Sequence, residues 1–373
     1  MGIRAKDIAK IAEVSPAAVS LALNNKPGIS PDTRERIIRI AKDLGHDGPR
    51  QAQAPKATAE QIGFLHIARH GHTVNRDHDV FIADYIEGLS QGAGLQGLSL
   101  GVTTFKGASI EAVLENAASM DAAGFIALGT ELEEEDVAAF SRLDRPVVFI
   151  DTWFDFLPFD FVDMNNEDSV FTIISDFAER GHRRIGMVKG SIETRNFKLR
   201  EEGFIASLAR LGLDYDPAYT FAVDPTFHGA TADMRAILKE GRPLPTALFC
   251  ANDIIACGCI RAFRHEGVRV PDEVSIIGFD DLPLSAVVDP PLTTMQVSKA
   301  QIGRMAVQLL ATRMRSEAGS PPVKMLIGGS LVERQSVRDL RPEGRVAGPA
   351  ASTTAAPAAA GPPGSDIPQG GST

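Results

Sequence analysis
The 373-residue sequence predicts a small all-α helix-turn-helix headpiece followed by an α/β sensor of two lobes, each built on a doubly wound parallel sheet. Three observations predict this. Two short apolar-faced helical stretches stand at the start of the chain, separated by a turn of three to four residues. From Ile62 onward, short apolar runs alternate with amphipathic stretches, the pattern that builds parallel sheets covered on both faces. Charge divides along the same line: residues 1–50 hold nine Lys and Arg against six Asp and Glu, and the remainder holds 29 against 42. A basic module on an acidic body confines the attraction for phosphates to one end of the molecule.

In the headpiece, Ile8 and Ile11 with Ala9 and Ala12 form one apolar helical face, and Val14 closes a short turn. Ser15 is placed to cap a second helix, with Pro16 at the first helical position, where its missing N–H costs nothing. Val19 and Leu23 give that helix a buried stripe at i, i+4 spacing. Ser30-Pro31 repeats the cap-and-proline start for a third helix, whose Ile37, Ile40, Ala41 and Leu44 point inward and which Gly45 stops.

The headpiece is expected over 1–48 and a linker without an apolar stripe over 49–61. Expected strands then follow at 62–67, 98–103, 124–128, 147–151, 185–189, 247–250 and 275–279, and expected helices at 81–91, 110–120, 170–180, 204–211 and 254–265. The body is expected over 62–340, with an N-lobe at about 62–160 and 292–325 and a C-lobe at about 161–291 and 326–340. The chain then crosses between lobes near 159–163, 289–293 and 324–328. The Ala/Pro/Gly-rich tail, 341–373, buries nothing and is expected to be disordered.

Several function classes fall away. Gly92-Ala93-Gly94-Leu95-Gln96-Gly97 matches the dinucleotide fingerprint G-x-G-x-x-G, but it follows a helix and precedes a strand, so it reads as a helix stop. There is no nucleophile elbow and no P-loop, and no enzyme activity or cofactor is expected. Cys250, Cys257 and Cys259 suit a reducing compartment and core packing, since a lone Cys-x-Cys pair is poor zinc spacing. Neither a secretory signal nor a membrane span is present, which points to the cytoplasm and against a free exported binding protein.

Together these stretches resemble the lactose/galactose-repressor (LacI/GalR) family of bacterial transcription regulators. The motifs that carry the resemblance run from about Arg4 to Val337: Asp7-Ile8-Ala9, Val14-Ser15, Val19-Ser20, Leu23-Asn24, Gly181-His182-Arg183-Arg184-Ile185-Gly186, Arg200-Glu201-Glu202-Gly203-Phe204, Ala251-Asn252-Asp253, Gly278-Phe279-Asp280-Asp281 and Pro291-Leu292-Thr293-Thr294. The resemblance implies a two-lobed sensor of the type I periplasmic-binding-protein kind, hinged around a small-molecule cleft. It also implies a homodimer whose two headpieces bind a near-palindromic operator, one per half-site.

By the same resemblance, Pro16, Ala17 and Leu21 face base edges. None offers the bidentate hydrogen bonds of Arg or Gln, so they contact thymine methyls or exclude bulk. Ser15, Ser20, Asn24, Asn25 and Lys26 are placed for phosphates, which position rather than specify. In the alternative, Leu21 is core and specificity falls to neighbours such as Lys6 or Arg4. Three departures stand out. Glu13 occupies a turn position where the family usually has Gly, and Arg4 a position where Thr or Ser caps the first helix. The linker lacks the Ala-x-x-Leu pattern whose leucine wedges into the minor groove, and carries Pro55 nearby.

In the sensor, Arg200 resembles the arginine that grips effector hydroxyls or a carboxylate, with Asn252 and Asp280 as polar partners from the opposite wall. Outside the effector role, Asn252 reads as a helix cap and Asp280 as a strand-end cap. The stretch that runs on from the first strand carries His66, His70, His72, His78, Arg69 and Arg76. Three readings stay open for it: a donor-rich ligand wall including His70, His72 and Arg76, a zinc site through His70, His72 and His78, or a solvated loop. Phe227 or Phe221 is expected to stack on the ligand ring, and the run Glu131 to Asp136 to form an acidic helix start in solvent. The expected effector is a sugar, sugar acid or sugar phosphate that releases a repressor from its operator; the alternative is a co-repressor that strengthens DNA binding.

Overall fold
The computed structural model describes residues 5–23, 29–44, 59–70, 79–316 and 319–341. Asn24, Asn25, Lys26, Gly45, most of the linker, His72, Arg76, His78 and the tail beyond 341 lie outside the described residues.

Three helices make the headpiece: α1 (Ala5–Ile11), α2 (Pro16–Leu23) and α3 (Pro31–Asp43). Ser15 Oγ accepts the Ala18 N–H at 3.1 Å, so α2 begins where its cap and proline place it. Ser30 Oγ accepts the Thr33 N–H at 3.3 Å and starts α3 the same way. The small core gathers Ile8, Ala9, Ala12, Val19, Ala22, Ile37 and Ala41. Ile11 is a correction: it is 54% exposed, because the short α1 buries the face at i, i+1 and i+4 from Ile8, which Ala9 and Ala12 complete. Glu13 sits in the left-handed region at φ +52°.

The body contains two six-stranded sheets. The first has the order β11-β5-β4-β3-β1-β2, all parallel, from β1 (Gln61–Ala68), β2 (Ser99–Lys106), β3 (Phe125–Leu128), β4 (Val147–Ile150), β5 (Asp160–Met164) and β11 (Lys324–Ile327). The second runs β12-β10-β9-β8-β6-β7, from β6 (Ile185–Gly190), β7 (Thr220–Val223), β8 (Ala247–Cys250), β9 (Ser275–Asp280), β10 (Thr293–Gln296) and β12 (Ser330–Val332), with β12 antiparallel to β10. Helices α4 (Asp79–Gln96), α5 (Ile110–Ser119), α6 (Glu134–Ala139) and α12 (Lys299–Arg315) belong to the first lobe. The second lobe holds α7 (Asn166–Glu179), α8 (Arg195–Arg210), α9 (Phe227–Lys239), α10 (Asp253–His265) and α11 (Pro283–Val287).

Two expected crossings move. Residues 160–164 form β5 of the first sheet, so the chain leaves the first lobe only after Met164. Residues 293–296 form β10 of the second sheet, so the return falls at 297–298. The third passage runs through Gly328-Gly329, between β11 and β12. The Gly-rich run is also corrected in part. Gly92 and Gly94 lie inside α4, and the helix stop is Gly97 alone, at φ +71°. A Cβ on Gly92 would stand 3.1 Å from the Arg304 Cα, so its bareness serves the packing of α4 on α12.

Candidate functional site
In the headpiece, Lys6 belongs to α1, and Pro16, Ala17, Ser20 and Leu21 to α2, with Ser15 as its cap. Leu21 is half-buried and stands outside the apolar cluster of the headpiece. The Arg34 guanidinium donates to the Leu21 carbonyl at 3.1 Å and to that of Ala22 at 3.4 Å, satisfying the carbonyl end of α2.

The second site lies where the C-terminal ends of the two sheets face each other. Open parallel sheets bind ligands at such strand ends. Asp151 follows β4, Asp163 and Met164 end β5, Ala251 and Asn252 follow β8, and Asp280 ends β9. Arg200, on α8, is 3% exposed. Its Nε donates to Asn166 Oδ1 at 2.9 Å, Nη1 to the Ala251 carbonyl at 2.5 Å and Nη2 to Met164 Sδ at 3.0 Å. Nη2 also lies 3.6 Å from Asp280 Oδ1, and the guanidinium centre sits 3.8 Å from the Phe279 ring centroid. A buried guanidinium survives only when its charge and donors are met in this way.

Polar contacts then cross the junction. Asn166 Nδ2 donates to Asn196 Oδ1 at 2.9 Å, and Asn196 Nδ2 donates to the Asp151 carbonyl and Oδ1 at 3.1 and 3.2 Å. The Tyr85 hydroxyl donates to Asp151 at 3.1 Å, and the Thr130 hydroxyl donates to it as well. From α12, Lys299 Nζ donates to the Asp280 carbonyl at 2.8 Å. Asp151 and Asp280 both have positive φ, +59° and +111°, a backbone cost that clusters at functional sites.

Burial dominates the electrostatics. It pushes the Asp151 carboxyl up to about 6 against the pull of Thr130 and Arg200. Burial and the neighbouring Asp151 push Asp163 well above the usual carboxylate range. Burial raises Asp280 too, while Arg200 and Lys299 oppose it. Beneath the junction, buried Asp253 accepts from the Leu282 N–H at 2.8 Å, the Ser285 hydroxyl at 2.6 Å and the Thr294 hydroxyl, fixing the loop after Asp280. Burial and then Asp280 push its carboxyl up to about 7.

The sequence-predicted residues divide accordingly. Arg200 and Asp280 meet. Asn252 caps α10, its Oδ1 accepting the Ile255 N–H at 2.9 Å, so its acceptor serves the fold. Phe227 opens α9, stacks edge-on with His228 and lies 5.4 Å from the Arg261 guanidinium, and Phe221 is core in β7 beneath Arg242. His70 has an exposed side chain, and its N–H donates to Glu131 Oε2 at 2.5 Å. Glu131 and Asp136 therefore correct the expectation of a solvated run. Both are buried, and Asp136 pairs with Arg69 and accepts the Glu133 N–H at 3.0 Å. Among the described residues no cluster of three or more His, Cys, Asp or Glu is arranged to hold a metal ion. Tyr85, Asn166, Asn196 and Lys299 are functional candidates that local sequence gives no sign of, because their partners lie far away along the chain.

A cavity of about 320 Å³ at the rim is lined by both lobes, by Glu133–Glu135 and Phe154–Phe156 on one side and Arg195 and Lys198 on the other. Among the described residues no helix is long and apolar enough to cross a membrane.

Residues 5–47 match the sequence profile of the bacterial regulatory proteins, lacI family, and residues 174–337 that of the periplasmic binding protein-like domain. The chain is 29% identical over 343 residues to the HTH-type transcriptional repressor PurR of Haemophilus influenzae (strain ATCC 51907 / DSM 11121 / KW20 / Rd), covering 90% of this chain and 98% of that protein. It is 29% identical over 338 residues to the HTH-type transcriptional repressor CytR of Escherichia coli (strain K12), covering 90% and 96%. Its fold is that of the lac repressor dimer bound to operator and the anti-inducer ONPF, with TM-score 0.67, 24% identity and coverage of 91% and 100%. The transcriptional regulator CelR–cellobiose complex shares it with TM-score 0.66, 22% identity and coverage of 90% and 99%. A capped helix-turn-helix that matches the lacI family profile, followed by two largely parallel sheets that enclose a buried polar junction and match a periplasmic binding protein-like domain, marks this chain as a DNA-binding transcriptional regulator with a ligand-binding body, similar to the repressors PurR and CytR.

Proposed function
We propose that this regulator is a repressor that binds a near-palindromic operator as a homodimer in the cytoplasm and lets go when a small polyhydroxylated effector enters the lobe junction. α2 lies in the major groove with Pro16, Ala17 and Leu21 toward the bases, while Ser15, Ser20, Asn24, Asn25 and Lys6 meet phosphates or flanking edges. Arg200 and Asp280 hold the effector; His70, His72, Arg76, Phe227 and Asn252 are further candidates on sequence grounds. The chain performs no catalysis and needs no cofactor.

One observation carries this reading. Arg200 is shared between Asn166, Ala251 and Asp280 of the second lobe and Met164 at the end of the first. A ligand that competes for that guanidinium changes the contacts between the lobes, and hence the spacing of the two headpieces. Coupling between such sites is typically about 1–3 kcal/mol. The ligand only has to prefer one lobe arrangement.

The test is a gel shift on the full chain with candidate sugars. Arg200→Ala should keep operator binding and lose the ligand response; an unchanged response removes Arg200 from the site. Loss of DNA binding on adding ligand marks induction, and a gain marks co-repression.

A further inference from the structure
Among the described residues, four buried side-chain atoms have no hydrogen-bond partner: Thr152 Oγ1, Asp163 Oδ2, Ser175 Oγ and Asp280 Oδ1. Three of them stand together at the strand ends of the lobe junction, since Thr152 follows β4, Asp163 lies in β5 and Asp280 ends β9. Protein interiors keep few such atoms, and each calls for a physical reason.

Asp163 is the least explained of the three. Every residue of β5 is buried, a setting that favours apolar side chains, yet an acid stands at its fourth position. Its Oδ1 accepts the adjoining Met164 N–H, at 2.8 Å. Asp151 and Arg200 act on the carboxyl through their charges and Asn196 through its side-chain amide, which locates it inside the junction, while Oδ2 itself has no hydrogen-bond partner.

Charge points the same way. Asp151, Asp163 and Asp280 face Arg200 and Lys299, and burial holds the three acids back from ionising until a further cation arrives. The cations already spend donors on Asn166, Ala251, Met164 and the Asp280 carbonyl. An anionic ligand would meet three carboxyl groups and two engaged cations. An ammonium would favour the ionised form of Asp163 and supply the N–H that Oδ2 lacks.

We propose that Asp163 is a specificity-determining residue of the effector site, and that the effector is a polyhydroxylated molecule bearing a protonated amine that donates to Asp163 Oδ2. This narrows the effector to a cationic polyol, away from the sugar acids and sugar phosphates that the histidine-rich stretch suggests. It rests on the junction being the effector site.

The experiment is thermal shift and calorimetric titration of the full chain with glucosamine, galactosamine and mannosamine, their neutral parents glucose, galactose and mannose, glucuronate, and glucose 6-phosphate. At least one amino sugar should raise the melting temperature and bind at least tenfold more tightly than its neutral parent, with no response to the acid or the phosphate. Asp163→Asn should weaken that binding at least tenfold, while the ligand-free variant melts no lower than the parent chain. Four outcomes overturn the proposal: no amino sugar binds, amine and parent bind alike, only the anions bind, or Asp163→Asn either keeps full affinity or melts lower. Arg200→Ala separates the two readings. If it abolishes binding that Asp163→Asn leaves intact, the junction stands and Asp163 is only structural. If neither variant affects binding, the junction reading itself fails.

Discussion
Glu13 shows how one side chain sets a local cost. At φ +52° its Cβ crowds the backbone, a conformation that glycine adopts freely. Glu13→Gly should stabilise the headpiece by about 1 kcal/mol, read as a higher midpoint in chemical denaturation of the full chain followed at the headpiece. An unchanged or lower midpoint would mean that the Glu side chain compensates for its backbone. The same residue illustrates what was legible in the sequence: an unusual residue at a turn position, whose conformation the structure then supplies. Arg200 and Asp280 were legible through their motifs. Asn196 and Lys299 were not, because a hydrogen bond to Asp151 or to the Asp280 carbonyl leaves no periodicity in the residues around its donor. Asp136 misled for a related reason, since a run of acids looks solvated until the Arg69 that neutralises one of them is located.

At the scale of elements, the apolar strands and the capped helices were readable, and the short mixed ones were not. β5 reads Asp-Phe-Val-Asp-Met and β10 reads Thr-Thr-Met-Gln, so neither presents a clean apolar run, and both are strands because neighbouring strands offer them a ladder. Helix α8 begins at Arg195, well before its expected start at residue 204, because the Thr194 hydroxyl accepts the Phe197 N–H at 3.3 Å. The pairing of α4 with α12 depends on glycines whose partners are distant in sequence. A Cβ on Gly303 would come within 2.8 Å of the Leu89 N and 3.0 Å of the Tyr85 carbonyl oxygen, both backbone atoms that cannot step aside. Gly303→Ala should therefore destabilise the first lobe by about 1–3 kcal/mol, the usual cost of overpacking, measurable as a lowered melting temperature. Unchanged melting would show that α12 shifts at no cost.

Across the whole molecule, the buried junction ties stability to pH. Asp151 holds its proton up to about 6 in the folded chain, above its ordinary value near 4. A raised folded value means that its contribution is complete at low pH and is lost as pH climbs from about 4 through 6. Asp163 and Asp280 are raised in the same direction. Asp151→Asn should flatten the fall in melting temperature across that interval, by an amount on the order of 2 kcal/mol between its ends. A parallel fall in variant and parent would place the titration elsewhere.

The polypeptide passes between the lobes three times, after Met164, at 297–298 and through Gly328-Gly329. A Cβ on Gly329 would press on Met295 Sδ at 2.8 Å and Ser169 Oγ at 3.0 Å, so this last tether lies flush against its neighbours. A single tether would let one lobe swivel at random beneath the other. Three side by side leave little beyond a shared bending axis, so movement of one lobe on the other is confined to a rotation of defined direction.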